Sequence, residues 1–351
     1  MANNAFLTAN SYLGMVIETT EGTLPTTGTA YWLPVTSPQI TPQQMFLRDE
    51  ALRGSPTTVY DQVQGVRHDE FEFKTFLFAD TFPVLLRSSL GGSDTKTGSG
   101  PYNHVIKVLN NPATGSQPPT YSILDFDGAN YFTVSGAQCD TLGITFGAEA
   151  AADDTLGITF GAEAAAEVTV KYLGNPYVSY TSAPTVFATQ SLSTEHLIPS
   201  WDTAITIGGT SYTNVTTGEI SIARKTQPIF TLGTQAPYNL FAGPIEVTGK
   251  FTLVINSTSD VFSVLNGGYG LQRSPESITI SLTDPNDATS GTNHVVSFTM
   301  SAAQFHSVKR TRGKEYTELE VEFTANANQT DSATGYAPIQ ATIINNTSTT
   351  Y

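Results

Sequence analysis

One cysteine in 351 residues, Cys139, excludes an intramolecular disulfide framework and any multi-cysteine metal site. Bases are scarce too: 16 Lys and Arg stand against 31 Asp and Glu, a formal net charge of −15. Gripping the outside of nucleic acid needs cations to neutralise phosphates, so this balance argues against that role. No stretch approaches a membrane span, and Met1 to Leu7 lacks a basic region followed by an apolar run. The expectation is a soluble, cytoplasmically made chain with no membrane anchoring. Sequons such as Asn214-Val215-Thr216 then read as chance in a Thr-rich sequence.

Catalytic signatures are missing as well. There is no phosphate loop, dinucleotide fingerprint or Gly-x-Ser-x-Gly elbow. His68, His104, His196, His294 and His306 are scattered without metal-ligand spacing. Asp125-Phe126-Asp127-Gly128 and Asp284-Pro285-Asn286-Asp287 lack the alternating ligands and terminal Glu of a calcium loop and read as turns. The expectation is a non-enzyme without cofactor or metal.

What the chain has is Thr, Ser, Asn and Gly among 39% hydrophobic and only 13% charged residues. That mixture suits short strands joined by polar turns and is too apolar for disorder. It also has an echo. Phe71, Asp80, Phe82, Val84 and Leu85 recur without a gap as Phe251, Asp260, Phe262, Val264 and Leu265, and upstream Thr36 and Ile40 match Thr216 and Ile220. An echo of this length reads as two copies of one domain, a building block more than a catalyst.

Each copy reads as strands, one short helix, then strands. In the first, His68 to Phe78 alternates as a strand, and Asp80 caps a helix from Thr81 to Leu90 closed by Gly91-Gly92. In the second, a helix from Asp260 is closed by Gly267-Gly268. Further strands are expected at Tyr102–Val108, Tyr121–Phe126, Glu167–Tyr172, Ser277–Leu282, His294–Met300, Tyr316–Phe323 and Ile339–Ile344. The fold class is therefore mainly all-β: two tandem antiparallel β-sandwich or barrel domains, residues 1–185 and 186–351, each with one packed helix. The Pro/Ser/Thr-rich residues 174–200 form the boundary. A separate tandem repeat, Asp140 to Ala152 reappearing identically at Asp154 to Ala166, reads as a hairpin or loop insertion in the first domain.

Charge is patterned. Glu318, Glu320 and Glu322 alternate with Leu319, Val321 and Phe323, and Glu70 and Glu72 alternate with Phe71 and Phe73. A solvent-facing sheet surface accounts for the pattern, yet like charges side by side repel and specify an electronegative face. Lys309 to Lys314 is the one basic cluster, a solvated hairpin tip or a patch for an acidic neighbour. Residues 41–65, with Arg48, Asp49, Glu50 and Arg53, and the connector 224–243, with Arg224 and Lys225, are long enough to be interaction arms.

In these residues and their order, the chain resembles the major tail tube proteins of long-tailed, non-contractile bacteriophages. The resemblance rests on Glu18 to Thr23, Leu33-Pro34-Val35, the Phe71–Leu86 strand plus helix and Tyr102-Asn103-His104. In the second copy it rests on Thr217 to Ile222, Lys314 to Phe323, Gly335 to Ile339 and Asn345-Asn346. The Asp140–Ala166 insertion departs from the family pattern.

The resemblance implies a virion protein, assembled in the host bacterial cytoplasm, whose inner sheet joins its neighbours' sheets into rings. Rings stack around the tape measure protein into a hollow, electronegative tube, ended by tail terminator and distal tail proteins, through which DNA passes without specific binding. It implies that Glu70, Glu72, Glu318, Glu320 and Glu322 face the lumen, and that Arg48, Asp49, Glu50, Arg53, Arg224 and Lys225 make ring-to-ring contacts. Family rings hold six tube domains, so two domains per chain imply a trimeric pseudo-sixfold ring. A hexamer with one domain of each chain outside is the alternative. The competing reading is an extracellular or virion β-sandwich module that binds a carbohydrate or receptor, using aromatics such as Tyr177, Tyr180 and Trp201.

Overall fold

The period-two alternation of apolar and polar side chains is realised as antiparallel strands throughout. The computed structural model describes residues 7–110, 115–147, 165–191, 193, 195–255, 275–289, 291–312 and 316–351. The helix expected from Asp260, most of the tandem repeat and the end of the basic cluster lie outside the described residues.

Two long strands, Tyr131–Gly147 and Thr292–Arg312, organise the fold, because each works in two layers. The first half of Tyr131–Gly147 pairs with Tyr121–Phe126 and Val178–Tyr180. Its second half pairs with Glu167–Gly174 on one side and Val215–Ala223 on the other. Thr292–Arg312 repeats the plan, pairing first with Glu276–Thr289 and Gln340–Asn345 and then with Thr317–Ala325. Register shifts at Cys139/Thr141 and Phe305/Ser307 lie where the strands change layer, as bulges that bend a strand do.

One layer in each half is built on Tyr12–Ile17 or Thr203–Ile207, flanked by Tyr121–Phe126 or Glu276–Thr289. The other layer is a single sheet that runs unbroken through both halves. Its eight strands, in order, are Thr36–Asp49, Asp61–Phe76, Glu167–Gly174, the end of Tyr131–Gly147, Val215–Ala223, Glu246–Val254, Thr317–Ala325 and the end of Thr292–Arg312. Both layers bury their apolar faces in one contiguous cluster that includes Leu13, Phe71, Tyr172, Ile144, Ile220, Phe251, Ile280 and Phe298. The two halves of the chain thus share a core as well as a sheet.

The helix spans Phe82–Leu90. Thr81, not Asp80, holds the cap position, without a side-chain cap bond; Pro83 occupies the first turn, and Gly91 closes the helix at φ 81°. Its apolar face, Phe82, Val84, Leu85, Leu86 and Leu90, is buried, and the Phe82 ring meets Phe298 edge-on at 5.9 Å across the halves.

The echo holds for Phe71 and Phe251, which lie opposite Tyr172 and Val321 in equivalent ladders. Upstream it slips by two residues: Ile40 lies opposite Phe71, but Gly218, not Ile220, lies opposite Phe251. Both ladders carry an irregularity further upstream, at Thr36/Gln39 and Val215/Thr217. The polar stretch 41–65 is mostly not loop; it extends the Thr36–Asp49 and Asp61–Phe76 strands into a projecting hairpin. Residues 174–200 carry the Val178–Tyr180 strand and Phe187, buried against Trp32 at 5.9 Å.

Buried polar groups knit this frame. The Glu18 carboxylate accepts from Gly22 N–H (2.8 Å), Thr120 Oγ1 (2.8 Å), Ser122 Oγ (2.6 Å) and Gly136 N–H (2.7 Å). The His104 ring lies between Asp94, 2.7 Å from Nδ1, and the Thr347 carbonyl, 3.0 Å from Nε2. Asn345 donates to the Ala79 carbonyl at 2.6 Å, so the last residues fasten onto the first half.

Candidate assembly surface

The solvent side of the eight-stranded sheet gathers the acidic residues that the sequence singles out. Side chains directly opposite one another share a face, so the ladder can be walked across. Glu72 lies opposite Lys171, Lys171 opposite Thr141, and Thr141 opposite Ala223. Ala223 lies opposite Glu246, Lys250 opposite Glu322, and Glu320 opposite Lys309. Glu70, Glu72, Glu318, Glu320 and Glu322 therefore stand on one face of one sheet, although they come from opposite ends of the chain.

That face is not uniformly acidic. Glu70, Glu72, Glu167, Glu219, Glu246, Glu318, Glu320 and Glu322 share it with Lys74, Lys171, Lys250 and Lys309. Lys171 pairs with Glu70 at 3.0 Å and Lys250 with Glu219 at 3.0 Å. The hydrogen bond and charge of Glu219 hold the Lys250 ammonium above its usual range. Among partly exposed groups such pairs contribute little stability, but they space the carboxylates and leave the acids in excess. Lys171, Lys250 and Glu219 carry no sequence signal of this role, because their partners lie on other strands.

The seam between the halves is the centre of this sheet. Thr217 to Ala223 pair with Gly147 to Thr141, with Ile220 opposite Ile144 and Ser221 opposite Gly143. The Phe146 ring lies against Gly218, where a Cβ would come within 2.3 Å of it, so the position admits only glycine without rearrangement. Asp140 reinforces the seam, its carboxylate accepting from Thr226 N–H at 2.9 Å.

Arg224 belongs to the same seam and not to a surface. It is 4% exposed, and its guanidinium donates to the carbonyls of Ser89 (2.7 Å) and Leu90 (3.0 Å) at the C-terminal end of the helix. Orphan carbonyls and the negative end of the helix dipole are what a cation stabilises there. The expectation that Arg224 makes a ring-to-ring contact is corrected on this ground. Its neighbour Lys225 is exposed and pairs with Glu246 at 2.5 Å.

Arg48, Asp49, Glu50 and Arg53 sit at the far end of the projecting hairpin, where Arg53 pairs with Asp49 and lies over the Tyr60 ring at 4.9 Å. Met45, Phe46, Leu47, Leu52 and Val63 are exposed along it. The second connector forms a small hairpin, Gln227–Ile229 with Asn239–Phe241, that docks on the base of the first. Arg67 N–H donates to the Gln235 carbonyl at 2.9 Å, and His68 meets the Phe230 ring at 6.2 Å. The two connectors form one projection, with Ile229, Leu232 and Tyr238 adding to its exposed apolar surface.

Among the described residues, no group of three or more His, Cys, Asp and Glu is placed to hold a metal ion. Tyr177 packs its ring against Phe132 and beneath Arg67, while Trp201 is exposed.

No curated protein matches the sequence. A family model described as phage tail tube protein matches residues 8–335, which take in both halves, the seam and the projecting hairpin. The chain belongs to the phage tail tube protein family, a structural component of the virion tail that self-assembles into a tube.

Proposed function

We propose that copies of this chain close into rings by joining the ends of the eight-stranded sheet, and that the rings stack into the tail tube around the tape measure protein. The observation that carries this reading is the sheet itself. It is continuous across two halves built on the same strand plan, already joined edge to edge, and the outer edges of its two end strands carry no partner among the described residues. Closing a sheet on itself removes edges that would otherwise aggregate. Two units per chain favour three chains in a pseudo-sixfold ring.

In this reading the acid-rich face lines the bore. Its carboxylates outnumber its lysines and repel phosphates, and Lys171 and Lys250 are held in ion pairs, so the genome slides through at ejection. The projecting hairpin, with Arg48, Asp49, Glu50 and Arg53 at its end and Lys225 near its base, meets the next ring. Exposed Met45, Phe46, Leu47 and Leu52 supply the apolar contact. Tail terminator and distal tail proteins cap the stack, assembly takes place in the host cytoplasm, and the role is structural and not catalytic.

Electron microscopy of the purified chain after concentration or mild heating tests this. Rings or tubes with a central pore are expected, with a mass of three chains per ring. Persistent monomers would overturn the assembly reading, and a six-chain ring would overturn the trimer.

A further inference from the structure

The seam inside the chain is a template for the seam between chains. In the first half Phe71 lies between Ile40 and Tyr172; in the second, Phe251 lies between Gly218 and Val321. Ile40 is thereby the counterpart of Gly218, and Gln43 of Ser221. On the other flank, Tyr172 corresponds to Val321, which makes Thr169 the counterpart of Glu318. Gly143 lies opposite Thr169 and Thr311 opposite Glu318, so Gly143 corresponds to Thr311. Within the chain, Ser221 and Gly143 are paired. Their counterparts, Gln43 and Thr311, have a strand on their inner side alone among the described residues: Thr36–Asp49 pairs on one edge only, and so does Thr292–Arg312 beyond Phe305.

We infer that a second copy of this chain pairs its Thr36–Asp49 edge antiparallel with the Ser307–Arg312 edge of the first, in the register Gln43 opposite Thr311 and Gln44 opposite Arg310. The proposal rests on the ring reading above and specifies its contact. The two edges differ from one another, so the contact is head-to-tail and propagates until the rotation closes. Pro38 and Pro42 mark Thr36–Asp49 as an edge strand inside the chain. The contact differs chemically from the internal seam. Arg310 stands where Leu142 is buried and Gln44 where Ile222 is, so the apolar contact of the internal seam becomes a polar one between chains. An edge that must stay soluble before assembly has reason to be polar.

Cysteine pairs read this register directly. Native Cys139 is fully buried and its thiol pushed up to about 12, so it gives little background. The chain carrying Gln43→Cys and Thr311→Cys is assembled, imaged and oxidised with copper phenanthroline. A second chain carries Gln44→Cys and Arg310→Cys, and a third the internal pair Ser221→Cys and Gly143→Cys as a geometric control. The expected result is conversion of most monomer into a covalent ladder that ends at the closed ring for the first two, and an intramolecular bond for the third. Rings that assemble yet stay uncrosslinked at both seam pairs, while the control closes, would overturn this register and leave the tube reading standing. Failure of the unmodified chain to form rings would overturn both.

Discussion

Arg224 donates to the Ser89 carbonyl at 2.7 Å, joining residues 135 apart across the two halves. With its second bond, to Leu90, this buried guanidinium ties the only α-helix among the described residues to the central seam. Replacing Arg224 with Ala removes both of these bonds, although the Leu90 carbonyl keeps the Leu109 N–H, and is expected to cost about 2–4 kcal/mol in denaturant unfolding. Lys cannot reproduce the two-pronged geometry and should recover only part of the loss. Lys225→Ala, next in sequence but exposed, should cost no more than about 1 kcal/mol. Equal losses at the two positions would contradict the assignment.

Glu18 gathers four donors into one partly enclosed carboxylate. Glu18→Gln sets an amide NH2 against groups that are themselves donors, so at least one bond becomes a repulsion. A loss of about 2–3 kcal/mol is expected by urea titration. The same substitution at exposed Glu72 should change stability by less than about 0.5 kcal/mol.

Burial, helped by the neighbouring Asp127 carboxylate, pushes the Asp125 carboxyl up to about 6. A folded-state value above the unfolded one means the folded chain holds the proton more tightly. Asp125 therefore costs nothing at low pH, and stability falls as pH rises from about 4 through 6. Asp125→Asn should abolish that fall, raising stability at pH 7 by about 1–3 kcal/mol and leaving pH 3.5 nearly unchanged. Thermal melts across this range check it; a gain as large at pH 3.5 as at pH 7 would point to packing instead.

The acidic face offers a functional test. Changing Glu318, Glu320 and Glu322 together to Gln removes three carboxylates from the face, including the one opposite Lys309 and one of the two opposite Lys250, which keeps Glu219. Tubes of this variant should retain linear DNA in low-salt sedimentation and release it as salt rises, while unmodified tubes retain none. Equal behaviour of the two tubes would remove the electrostatic argument for the bore.

Local pattern carried much of this architecture. The alternation of Phe71 and Phe73 with Glu70 and Glu72, and of Val321 and Phe323 with Glu320 and Glu322, is legible because a half-buried strand writes its two faces at period two. The strand over residues 41–49 was not legible for the converse reason. None of these residues is buried, so Thr41, Gln43 and Gln44 show no apolar side. The burial of Arg224 was illegible because its partners are backbone carbonyls, which leave no residue-type signature. Lys171 and Lys250 became part of the acidic face only through strand pairing, which is nonlocal. The two-residue slip that separates Ile40 from Ile220 is likewise a property of ladders and not of the matched letters.

A side-chain-resolved electron cryomicroscopy map of the assembled tube tests the central claim most directly. The account predicts three chains per ring, each contributing two sheet segments to a continuous wall, with Glu70, Glu72, Glu318, Glu320 and Glu322 facing the bore. A map that places this face on the tube exterior, or separates the sheets of neighbouring chains, would contradict it.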